Sequence, residues 1–125
     1  MDTSTDTTRS VRTGTLIGTA LQLLMVTAGH YSHAIAQLFA AGGMGISALA
    51  GVVAALGSNP ASLGSAAGRG AIAGGVCAFG GILVSYLLGD VPAAVLGFGT
   101  ASSMVTGAVG GMVGKLLSAR AAQRA

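Results

Sequence analysis

Two histidines three residues apart, His30 and His33, flank Tyr31 and form a polar cluster in an otherwise apolar stretch. On a helix, positions three apart share a face, so the two imidazoles could hold one metal ion, with Asp90 from a second polar connection as a carboxylate donor. The same imidazoles could sense pH by taking up a proton. The plainer reading takes His30, Tyr31 and His33 as interfacial residues that end a membrane span, with amphipathic rings at headgroup depth. It takes Asp90 as a helix cap. That plainer reading is adopted, and neither a metal nor a cofactor is expected.

No second constellation could do catalytic chemistry. The acids are Asp2, Asp6 and Asp90, and no nucleophile stands beside a base in any recognisable spacing. Cys77 is the single cysteine, which rules out an intrachain disulfide, and it reads as a small buried hydrophobe. An enzyme is not expected. The uncharged polar side chains inside apolar stretches, Gln22, Thr27, Ser85 and Thr106, either bond between helices or line a pathway. Gln37 belongs to the same class, Tyr86 reads as an interfacial anchor, and Lys115 reads as a snorkelling cation.

The elements that must carry these residues are membrane-spanning helices. Charged residues make up 7% of the chain and hydrophobic ones 52%, with a mean hydropathy of +0.78, whereas a soluble domain carries roughly a quarter charged residues. The 22 glycines would each cost about 1 kcal/mol in a soluble helix. In a bilayer the surroundings enforce helicity and glycine permits close helix approach. A pI near 9.8 does not signal nucleic acid, because six basic residues in three regions form no basic stripe or stacking platform.

The chain divides into a polar N-terminal tail (1–12), a first transmembrane hairpin (13–57), a Ser/Gly/Pro linker (58–69), a second hairpin (70–117) and a basic C-terminal tail (118–125). Each hairpin contains two apolar stretches near the roughly 20 residues needed to cross the hydrocarbon core. The polar interruptions are Gly29 to His33 and Gly89-Asp90-Val91-Pro92, with Pro92 expected in the first turn of the last span. Asn59-Pro60 marks the break between halves. With four alternating spans, Arg9, Arg12, Arg69, Lys115, Arg120 and Arg124 all fall on one side and none on the other. The positive-inside rule then puts both termini in the cytoplasm, in a plasma or inner membrane. Arg9 and Arg12 before an apolar run also resemble a secretory signal whose removal would leave three spans.

Retention of the first span is favoured by an internal repeat. A shift of 56 positions superposes Gly14 on Gly70, Gly18 on Gly74, Gly43 on Gly99, Ser47 on Ser103 and Gly51 on Gly107. Spans two and four therefore carry the same ladder of small residues, extended in the fourth to Gly111. At about 100° per residue, Gly99, Ser103, Thr106, Gly107, Gly110 and Gly114 share one face, opposite Phe98, Val105, Val109, Met112 and Leu116. The ladder resembles glycine-zipper membrane segments, a packing pattern found in unrelated proteins. The expected fold is an all-α integral membrane protein of four helices, two tandem hairpins in parallel pseudo-repeat, packed through Gly/Ser/Ala faces. The faces have three candidate partners: the other repeat, the hairpin neighbour, or a second subunit.

Three functional classes fit. The chain reads first as a transport or channel-type protein for a small or neutral solute, working as an oligomer in the lipid bilayer. It reads second as a non-conducting structural or accessory subunit of a membrane complex, and third as a holin-like or toxin-like pore-former.

Overall fold

The computed structural model describes residues 3–56, 60 and 62–124, with side chains described from Thr7 onward. Five helices make up the architecture: α1 (Thr3–Tyr31), α2 (His33–Ala36), α3 (Phe39–Leu56), α4 (Leu63–Leu87) and α5 (Ala94–Arg124). Four of them, α1 from Thr7, α3, α4 and α5, are long and apolar enough to cross a membrane. The chain is thus all-helical over the described residues and has the makings of a multi-pass membrane protein.

Local chemistry sets the breaks. Ser32 adopts an extended conformation (φ −133°, ψ 111°) between α1 and the single turn of α2, so the second span begins at Phe39 rather than Ala34. Ser62 caps α4 by accepting a hydrogen bond from the Ser65 N–H at 3.1 Å. Helix therefore starts at Leu63, inside the stretch expected as linker. Ser58, Asn59 and Ala61 of that linker lie outside the described residues. At the other end of α4, Gly89 takes φ +82°. Its N–H bonds the Tyr86 carbonyl (3.0 Å) and the Asp90 N–H bonds the Ser85 carbonyl (2.9 Å). This pair of bonds is a Schellman stop, which needs a left-handed residue that glycine supplies without strain. Pro92 precedes α5, and its carbonyl accepts from the Val95 N–H.

Helix also runs further at both termini than the sequence suggests. Residues 3–12 continue α1, where Thr13 Oγ1 donates back to the Arg9 carbonyl at 2.9 Å, and 118–124 continue α5. Propagation from an existing helix costs far less than nucleation, which explains why these polar ends follow their apolar neighbours.

In the bundle, α3 and α4 touch each other, and each touches both α1 and α5. At the end that holds the start of α1 and the finish of α5, the helices meet through backbone. A Cβ added at Gly107 would collide with the Gly70 carbonyl, and one at Gly51 or Gly70 would collide with the Gly107 carbonyl. Likewise Gly110 abuts the Ala48 carbonyl, Gly111 the Ala66 carbonyl and Gly14 the Ala50 carbonyl. One face of α5 is thus shared between two neighbours, α3 and α4. On its other face Val105, Val109 and Leu116 are exposed, where dispersion contacts with lipid are available. Lys115 Nζ donates to the Pro60 carbonyl at 2.8 Å, so its ammonium ties α5 to the connection before α4.

Candidate functional site

At the opposite end the helices part around a cleft of about 700 Å³. Large side chains hold them apart where glycines sit. The Phe39 ring fills the place of a Cβ at Gly29, and Ile82 Cδ1 lies against Gly99. Together with Met25, Val95 and Phe98, these side chains give the cleft apolar walls. Gln22, Ser85 and Ser103, each at most 4% exposed, add uncharged polar groups to its lining; Ser85 belongs to the last turn of α4, just below Asp90.

Gln22 is held by α3. Its Nε2 donates to the Gly43 carbonyl at 3.1 Å, with Ser47 Oγ at 3.5 Å. Its stem lies on Gly81 of α4, where a Cβ would come within 2.7 Å of Gln22 Cβ. Ser47 is fully buried. Its Oγ lies 2.9 Å from its own helix's Gly43 carbonyl and 3.3 Å from the Gly74 carbonyl of α4, so one proton bridges two helices. Cys77 Sγ, buried and unoxidised, donates to Gly74 O at 3.2 Å. Ser85 stands apart: among the described residues, its buried Oγ has no hydrogen-bond partner.

The mouth carries the titratable groups. His30 Nδ1 lies 3.0 Å from both Asp90 carboxylate oxygens, which makes an ion pair when the imidazole is protonated. The Tyr31 ring meets His30 edge-on at 5.2 Å between centroids. The Schellman stop puts Asp90 in reach, since its N–H is pinned to Ser85 at the end of α4. Its carboxylate is therefore engaged with α1, where the sequence reading had it capping the following helix. His33 does not share a face with His30, because the break at Ser32 puts the two on different helices. It faces Gln37 instead, with Nε2 3.3 Å from the amide nitrogen. Among the described residues no three His, Cys, Asp or Glu side chains converge on a metal position, so His30, His33 and Asp90 are not brought together as a ligand set.

The four residues considered for a pathway separate into two pairs. Gln22 and Ser85 line the cleft. Thr27 faces outward, and Thr106 Oγ1 bonds the Ser103 carbonyl of its own helix at 3.1 Å. Of the ladder residues, Gly43, Gly99 and Ser103 line the cleft, while Gly51, Gly107 and Gly111 lie in the backbone-to-backbone region. The walls contributed by Phe39 and Ile82 carry no local spacing that would mark them in the sequence, and the spacing of Phe98 marks it as part of the bulky face of α5, not as a wall of the cleft. Compared with known protein families, curated proteins and solved structures, the chain gives no match.

Proposed function

We propose that the protein is a transport-type membrane protein for a small or neutral solute, which enters the cleft past His30 and Asp90. The observation that carries this reading is the cleft itself. It runs inward from a polar mouth past the buried, uncharged polar side chains Gln22, Ser85 and Ser103, an arrangement suited to a neutral guest and hostile to an ion. Beyond it the helices meet through Gly51, Gly70 and Gly107. Passage through one chain therefore requires that contact to open, which makes the close-packed region the gate. The matched ladders of α3 and α5 give the parallel pseudo-repeat a physical role, since the equivalent residues Gly51 and Gly107 are in contact. They act as a glycine zipper between the two hairpins. The working form is an oligomer with both termini in the cytoplasm, consistent with basic residues gathered at the terminal end.

Reconstitution tests this. Glycerol or urea flux into proteoliposomes is expected to exceed that into empty vesicles, and equal rates overturn the reading. An accessory-subunit role draws support from a separate observation: Gly45, Gly68 and Gly97 have nothing within 4 Å of where a Cβ would stand, so small positions also face outward where another helix could lie. Purification as a solitary, well-behaved oligomer counts against that second role.

A further inference from the structure

We infer that the cleft binds an uncharged amphiphile, an alcohol or amide whose polar head pairs with the Ser85 hydroxyl while its hydrocarbon body lies against Met25, Phe39, Ile82 and Phe98. This rests on the same cleft as the transport reading and names a ligand class for it, and the binding is measurable apart from transport.

Three observations lead to this class. The cleft, at about 700 Å³, falls within the roughly 300–1,000 Å³ of small-molecule sites. Its walls are apolar and, inside the mouth, Gln22, Ser85 and Ser103 offer amide and hydroxyl groups with no ionisable side chain among them. An ion there would be desolvated without a counter-charge, because the Asp90 carboxylate at the mouth already engages the His30 ring.

The third observation is the Ser85 hydroxyl, 2% exposed and without a partner among the described residues. A buried polar group left unsatisfied costs about 1–3 kcal/mol, and one rotation about χ1 carries this hydroxyl between staggered positions. A hydroxyl or amide head in the cleft supplies the missing bond. Thr100 also has a buried hydroxyl without a partner, but it does not line the cleft and serves as a matched control.

The experiment uses the full chain in phosphatidylcholine vesicles with a medium-chain alcohol that carries an alkyl diazirine, photolysed and mapped by peptide mass spectrometry. Saturable labelling is expected on residues that line the cleft. Octanol should compete, and octanoate and octylammonium should not. Ser85→Ala should lower saturable labelling about five-fold, the value of one hydrogen bond near 1 kcal/mol, while Thr100→Ala leaves it unchanged. Equal competition by all three headgroups overturns the proposal, since the cleft would then be a groove for any acyl chain. Wild-type labelling in a folded Ser85→Ala variant overturns it as well. The headgroup comparison needs no variant, so it decides the matter whether or not Ser85→Ala folds. Labelling without solute flux upholds the site and removes the transport reading, and flux without cleft labelling removes the site alone.

Discussion

The two ends of the bundle use glycine in opposite ways. Near the termini, Gly51, Gly70, Gly107 and Gly111 lie against main-chain atoms of neighbouring helices, so the absent Cβ is what allows contact. Around the cleft, Gly29, Gly81 and Gly99 lie against the side chains of Phe39, Gln22 and Ile82, so the absent Cβ makes room for something larger. Backbone against backbone yields only when whole helices move, because each helix is fixed by its own hydrogen bonds. A side chain can change rotamer. The same residue type therefore builds a rigid seam at one end and an adaptable hollow at the other.

The largest expected effect comes from forcing the seam. Gly107→Leu should prevent formation of the bundle, and Gly107→Ala should destabilise it by about 3 kcal/mol, the upper part of the usual overpacking range, measured by steric trapping or thermal unfolding in micelles. Val109→Leu, on the exposed face of the same helix, should leave stability within about 0.5 kcal/mol; similar losses from Gly107→Leu and Val109→Leu would erase the distinction between faces. A smaller loss is expected where seam meets hollow. Ser47→Ala removes the proton shared between Gly43 and Gly74 and should cost about 0.6–1.7 kcal/mol, the span measured for hydrogen bonds between membrane helices. The smallest change belongs to the hollow: Gly99→Ala meets the mobile end of Ile82 and should shift stability by less than about 0.5 kcal/mol. If Gly99→Ala and Gly107→Ala prove equally costly, the two ends do not differ as described.

Much of the helical architecture is written in the composition. Low charge and apolar stretches of spanning length lead directly to four long helices, and those helices are present. The partners of the small-residue face are not legible in the same way. A helical wheel assigns Gly107, Gly110 and Gly111 to one side of α5, yet the side is broad enough to be divided between α3 and α4. Nor does the wheel show how deep in the bundle a contact changes from backbone to side chain.

The mouth of the cleft was half legible. His30 and Asp90 stand out by residue type, but they are 60 positions apart and meet only because the tips of the two hairpins converge. The spacing of His30 and His33 misleads because the i, i+3 rule holds within one helix, and Ser32 ends that helix between them. Ser85 drew notice as a polar residue in an apolar stretch. Its lack of a partner depends on every surrounding side chain and has no trace in local sequence.

The glycine seam also changes what is lost when the bundle forms. Ordering a leucine or methionine between two helices freezes rotamers, at a cost in entropy of about 0.5–2 kcal/mol per side chain. At Gly51, Gly70, Gly107 and Gly111 there are no rotamers to freeze. The entropy peculiar to glycine is that of its backbone, and a bilayer has already removed most of it by holding each span helical before the spans associate. Contacts across this seam are thus retained nearly in full, without the conformational losses that accompany association through larger side chains.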